Sequence, residues 1–266
     1  MNSNETTLKF LLVWTIFFLA PLLLPATGAT AGWYLRGALG YEKSLTSDFS
    51  DTDCASTNPP ALFGCVSGND GQPIGAYGDF GRFPLAEIAA GRQLLPWLRA
   101  DVSFAYRFNM QYEGNANFLA AGYHQPVSAG ADSASGMVNF FVDINGLPTG
   151  ITLWRFRPYV GGGIGLSYNR IGQMTFLFPD NPGAHKISVI PAGDRTDAAF
   201  MLAFGTGFVL TEHIWLDVAY RYFDLGRVET SPGRMSMDVI PAGITVSNIE
   251  TRLRTHGLSI GLRYHF

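Results

Sequence analysis

The stretch Thr255-His-Gly-Leu-Ser-Ile-Gly-Leu-Arg-Tyr-His-Phe266 sets the terms on which this chain can fold. At a period of two, Leu258, Ile260, Leu262, Tyr264 and Phe266 share one side, and Gly257, Ser259, Gly261, Arg263 and His265 share the other. That is the pattern of a two-faced β-strand. Its unbroken apolar row needs a continuous apolar medium to face, and lipid is the obvious one. Helices do not offer another way across a membrane here, because after Leu24 no stretch supplies the ~20 apolar residues that a spanning helix requires.

Composition points the same way. The chain is 47% hydrophobic and 14% aromatic, carries 31 Gly, and is only 15% charged, where soluble domains usually hold about 25% charged residues. Strands reconcile high hydrophobicity with the absence of long apolar runs, since only alternate residues need to meet lipid. A net charge of -3 gives no electrostatic reason to bind nucleic acid.

Lys9, the apolar run 10–24 and the segment Pro25-Ala-Thr-Gly-Ala-Thr-Ala31 read as a secretory signal, 1–31, cleaved after Ala31. This leaves residues 32–266 as one domain. After export, Cys54 and Cys65 meet an oxidising compartment, so a local disulfide is expected between them.

Eight stretches alternate in type: 33–42, 80–92, 97–110, 136–145, 157–169, 198–210, 214–224 and 255–266. The first sets Trp33, Leu35, Leu39 and Tyr41 against Arg36, Ala38, Gly40 and Glu42. In the third, Leu98, Ala100, Val102, Phe104, Tyr106 and Phe108 oppose Arg99, Asp101, Ser103 and Arg107; in the seventh, Leu216, Val218, Tyr220 and Tyr222 oppose Asp217, Ala219 and Arg221. In the fifth, Gly161, Gly163 and Gly165 lie on the inner side, leaving room for large neighbours. Long segments, 43–79, 111–133, 170–196 and 225–251, follow the odd-numbered stretches, and shorter ones follow the even. The expectation is an all-β, eight-stranded antiparallel transmembrane up-and-down β-barrel, with short periplasmic turns and four long extracellular loops. Trp33, Trp97, Trp154 and Trp215 would lie at the periplasmic level, and Tyr41 and Tyr168 at the other, as interfacial girdles. By parity Trp97 and Trp215 share a face with Asp101 and Asp217.

Four segments, Trp97-Leu-Arg-Ala-Asp-Val, Arg157-Pro-Tyr-Val-Gly-Gly-Gly-Ile-Gly, Leu216-Asp-Val-Ala-Tyr-Arg-Tyr-Phe-Asp-Leu-Gly226 and Gly261-Leu-Arg-Tyr-His-Phe266, carry a resemblance. Together they resemble the opacity-type and related small porin-family eight-stranded surface proteins of Gram-negative bacteria. The resemblance implies an outer-membrane, cell-surface location and, in some members, adhesion to host molecules. Phe266 resembles the terminal signal read by the barrel assembly machinery. Outer-membrane lipid and lipopolysaccharide would then be the surroundings, with a host or surface ligand at the loops.

The polar faces would bring Arg36, Glu87, Arg99, Asp101, Arg107, Asp143, Asp217, Arg221 and Arg263 into the lumen. So narrow a lumen is filled by its own side chains, and mixed charges there can pair. The expected role is therefore structural or adhesive, through the loops, over a salt-bridged interior. A small porin-like diffusion channel is the alternative, and a lipid A-modifying enzyme a remoter one. Catalysis is not expected: His256 and Ser259 have opposite parity and cannot share a proton across a regular strand. Gly161-Gly-Gly-Ile-Gly165 lacks the spacing of a phosphate-cradling loop. Asp48, Asp51 and Asp53 lack the spaced ligands of a calcium loop. No cofactor is expected.

Overall fold

The computed structural model describes residues 32–120, 123–148 and 153–266; the expected signal segment, 1–31, lies outside them. The fold is all-β. Fourteen antiparallel strands form one sheet: β1 (Trp33–Ser44), β2 (Ser50–Asp51), β3 (Ala76–Asp79), β4 (Arg82–Leu95), β5 (Leu98–Ala116), β6 (Pro126–Asp143), β7 (Phe156–Ile171), β8 (Met174–Leu177), β9 (Ile187–Ile190), β10 (Gly193–Val209), β11 (Ile214–Glu229), β12 (Gly233–Met237), β13 (Ile240–Val246) and β14 (Ile249–His265). The expectation of eight strands joined by four long loops is therefore corrected. Segments 43–79, 111–133, 170–196 and 225–251 hold six further strands, together with the far ends of the long ones.

Pairings run from β1 through β4, β5, β6, β7, β10, β11 and β14, and β14 pairs back onto β1. Each of these strands therefore has a partner on both sides, which leaves no open edge among them. The six short strands extend the same sheet at the end opposite the termini, where β8, β9, β12 and β13 pair in succession outward from β6. Phe266 donates its N–H to the Trp33 carbonyl at 3.0 Å, which sets the two ends of the described chain side by side.

The 19 residues of β5 run about 60 Å at the usual rise per residue. At the ~40° tilt of such walls this is about 45 Å upright, against a hydrocarbon core of ~30 Å. The far part of the wall thus stands clear of any bilayer that its near part spans, and the residue pattern changes accordingly. On β14, Leu258, Ile260 and Leu262 are exposed on the outside, whereas farther along Ile249 and Leu253 are buried inside, with Arg252 and Arg254 outside. The wall is apolar outside near the termini and apolar inside beyond.

Two bulges accompany this change. In β5 the register slips between Arg107 and Met110 around Asn109, which has a φ of 56°. In β11 it slips between Asp224 and Arg227 around Gly226, at 70°. Each inserted residue reverses which parity points inward, so that Met110 and Tyr112 follow Arg107 into the interior. Phe49, Phe80 and Tyr112 cluster there, with Phe49 4.9 Å and Phe80 5.3 Å from the Tyr112 ring. The Tyr112 hydroxyl donates to the Ala76 carbonyl at 2.7 Å. Beyond them, Phe63 stacks on Phe118 at 5.3 Å and Phe176 packs against both.

Candidate functional site

The inward rows of the long strands bring their charges together. Glu87 on β4 pairs with Arg36 on β1 and Arg221 on β11, each at 2.6 Å. Asp101 on β5 lies 3.7 Å from Arg36 and accepts from the Tyr34 hydroxyl at 3.0 Å and the Asn139 amide at 2.7 Å. Asp217 is held by Arg263 and by the Tyr159 hydroxyl. Arg99 pairs with Asp143 at 3.1 Å while its guanidinium lies 4.3 Å from both the Phe141 and Tyr159 rings. Gly161 makes room for this stack, because a Cβ there would overlap the Phe141 ring. Arg107 is fully buried and grips Glu42 at 2.7 and 3.3 Å, and Thr255 donates to the same carboxylate at 2.8 Å.

All nine charges expected in the interior face it, eight of them buried and Asp143 partly so. Glu42 lies on the same face but falls outside the set expected from the sequence. It supplies the fifth carboxylate beside Glu87, Asp101, Asp143 and Asp217, opposite the five arginines Arg36, Arg99, Arg107, Arg221 and Arg263. Its parity already places it on the face of Arg36, and charge balance singles it out, since five buried cations against four anions leave one uncompensated. Tyr34, Ser135, Asn139, Tyr159 and Thr255, which complete the hydrogen bonds, carry no such signal.

The tryptophans divide. Trp33 and Trp154 are exposed, with Arg92 5.4 Å from the Trp33 ring. Trp215 packs at a tilt against His265 at 4.5 Å and lies 5.4 Å from Arg263, on the side of Asp217 as its parity implies.

At the far rim Cys54 and Cys65 are bonded. Asp51 accepts the N–H groups of Leu62, Phe63 and Gly64 at 2.8 Å each, so its carboxylate organises the bridged loop. A second clasp there has no mark in the sequence. His185 Nδ1 lies 2.6 Å from Asp238 and its Nε2 lies 3.0 Å from the Ser188 hydroxyl. The order is that of hydroxyl, imidazole and carboxylate in hydrolases. Ser188, however, is only 5% exposed and lies on β9 between β8 and β12. Asp238 also accepts the Lys186 and Ile187 amides, at 2.6 and 3.1 Å. Desolvation works against its charged form, but these amides and the His185 ring outweigh it and hold the Asp238 carboxyl below its ordinary range. His256 and Ser259 do not meet: His256 bonds the Tyr220 hydroxyl at 2.8 Å on the outer wall, and Ser259 is buried inside.

Residues 11–266 match the outer membrane protein beta-barrel domain family. The chain belongs to that family. It is 21% identical over 171 residues to the outer membrane protein PagN of Salmonella typhimurium, covering 64% of this chain and 65% of that protein. It is 26% identical over 127 residues to the opacity protein opA50 of Neisseria gonorrhoeae, covering 42% of this chain and 45% of that one. The match thus takes in less than two thirds of either relative's length. Among solved structures, OprG of Pseudomonas aeruginosa is 17% identical, with 91% of this chain and 99% of that chain covered and a TM-score of 0.44. The eight-stranded form expected with the opacity-type resemblance is overturned, since the sheet has fourteen strands, and the likeness to the opacity protein spans less than half of either chain. The protein resides in the bacterial outer membrane.

Proposed function

We propose that this family member is a non-conducting, non-catalytic surface protein with a structural or adhesive role, whose contacts with other molecules are made by the far rim. Short turns on the periplasmic side and long connections outside are the rule for such walls, and this orientation puts the rim at the cell surface. The observation that carries the reading is the filling of the interior at two successive levels. Five arginines paired with five carboxylates occupy the near part, and the cluster around Phe49, Phe80, Tyr112 and Phe176 occupies the far part. With the near wall in lipid and the interior occupied, the rim remains to meet a host or surface ligand. Phe266, exposed at the other end, is accessible to the assembly machinery.

Planar-bilayer recording of the refolded protein is expected to give no reproducible unit conductance, and a steady unit step would overturn the closed interior. Replacing the rim segments 67–72 and 180–184 with short Gly-Ser connections is expected to abolish cell binding. Full binding by that variant would remove the adhesive role. Incubation with lipopolysaccharide should leave its acyl pattern unchanged by mass spectrometry; an altered pattern would restore the enzymatic reading.

A further inference from the structure

The outer wall carries a groove of about 710 Å³ across β14, β1, β4 and β5. Gly37 and Ala86 form its floor, Ile260 and Leu262 one side, and Phe104 and Tyr106 the other. Following β1 away from the termini, the outward residues after Gly37 are Leu39, Tyr41 and Lys43. On β4 the residue opposite Lys43 is Arg82, and both are exposed. Neither has an ion-pair partner among the described residues. On its other side Lys43 faces His256, so no carboxylate stands opposite it on either neighbouring strand. Like charges directly opposite on adjacent strands repel, and a bound anion would relieve them.

Along the strand, Gly37 to Lys43 is about 20 Å, or about 15 Å upright at the usual tilt. That is half of a ~30 Å hydrocarbon core. Trp33, exposed at the near end of β1, and Lys43 are ten residues apart, about 33 Å along the strand or about 25 Å upright. A near interface at Trp33 therefore places Lys43 and Arg82 at the outer headgroup level, with Tyr41 just beneath them at the interface, where amphipathic rings concentrate. A ligand that fits has acyl chains of about one leaflet's depth and an anionic head directly above them.

We infer that the β1–β4 wall is a binding site for a phosphorylated, acylated glycolipid of the outer leaflet, with the chains in the Gly37–Ala86 groove and the phosphate between Lys43 and Arg82. The site rests on the outward orientation of the far rim and does not depend on whether the interior conducts, so bilayer recording and the following test fail separately.

The mature protein in detergent micelles is titrated with bis-phosphorylated lipid A, with the same lipid after phosphatase treatment, and with inorganic phosphate, and binding is read by native mass spectrometry. The phosphorylated lipid is expected to bind at least about tenfold more tightly than its dephosphorylated form. The double variant Lys43→Ala/Arg82→Ala should lose about that factor for the phosphorylated lipid alone. Gly37→Leu, at a position where an added Cβ meets no atom within 4 Å, should weaken both lipids by filling the floor. Unchanged affinity in the double variant, or equal binding of the two lipids, would overturn the site. Inorganic phosphate binding as tightly as the lipid would overturn the lipid assignment. Both cations are exposed, so the double variant should keep the wild-type shift between heated and unheated gel bands.

Discussion

Glu42 and Arg107 stand 65 residues apart in the chain and meet inside the wall, where two hydrogen bonds join the buried guanidinium to the buried carboxylate. They mark a boundary. Below them the interior is charged and the exterior apolar; above them Met110, Tyr112, Phe83 and Phe80 turn the interior apolar. Arg107 belongs to both sides, with its guanidinium 4.4 Å from the Phe223 ring.

Breaking this pair from one side should be costly. Arg107→Met leaves the Glu42 carboxylate buried with the Thr255 hydroxyl as its remaining donor, and removing one partner of such a pair typically costs about 3–5 kcal/mol. The double variant Glu42→Gln/Arg107→Met removes both charges and should recover most of that loss. Urea unfolding in detergent, followed by the heat-sensitive gel shift, measures these two changes and that of Glu42→Gln alone. Additive losses in the double variant would show that the two residues are not energetically coupled.

The bulges make a second test. Gly226 has a φ of 70°, and a Cβ on it would come within 2.5 Å of the Asp197 Cβ and 2.8 Å of its Cγ. Gly226→Ala therefore meets both backbone strain and a close contact, and a loss of about 1–3 kcal/mol is expected. Asn109 occupies the same left-handed region at 56°, which asparagine tolerates. Asn109→Gly should change stability by less than about 1 kcal/mol. Equal effects of the two substitutions in the same unfolding assay would count against the steric explanation.

The near half of the wall is legible because its rule is constant over each strand: Leu258 to Phe266 outside, Gly257 to His265 inside. The far half breaks that rule in three ways. On β14 the apolar face changes sides between Leu253 and Leu258 without any break in the strand. In β5 and β11 an inserted residue reverses parity at Asn109 and Gly226. The added strands are two to seven residues long, too short to show a period on their own. The interior charges follow from parity alone, whereas the His185–Asp238 contact joins residues 53 apart, on segments whose sequence reads as loop.

The bridged loop offers a local test. Cys54 and Cys65 enclose a short loop, whose closure is worth about 2–3 kcal/mol in the chain-entropy account. In Cys54→Ser/Cys65→Ser, Asp51 still accepts the Leu62, Phe63 and Gly64 amides, but from a looser segment. Hydrogen exchange at those three amides is expected to quicken while exchange at Ser259 and Gly261, in the membrane-level part of β14, is unchanged. Faster exchange throughout β14 would mean that the bridge supports the whole wall.

Acid should loosen the other clasp only where the Asp238 carboxylate takes up a proton. The Asp238 carboxylate holds the Lys186 and Ile187 amides and the His185 ring, and its folded-state pKa is depressed. A depressed carboxyl contributes its full stabilisation above the unfolded value of about 3.9, and that contribution is lost as pH falls through the folded one. Protection of the Lys186 and Ile187 amides is therefore expected to hold at about pH 6 to 5 and to fall below about pH 4, while the Leu62 to Gly64 amides in an Asp238→Asn variant stay as in the wild type. The variant should show the weakened Lys186 and Ile187 protection already at neutral pH, and little further change on acidification. Loss of protection in both proteins over the same acid range would assign the transition to another group.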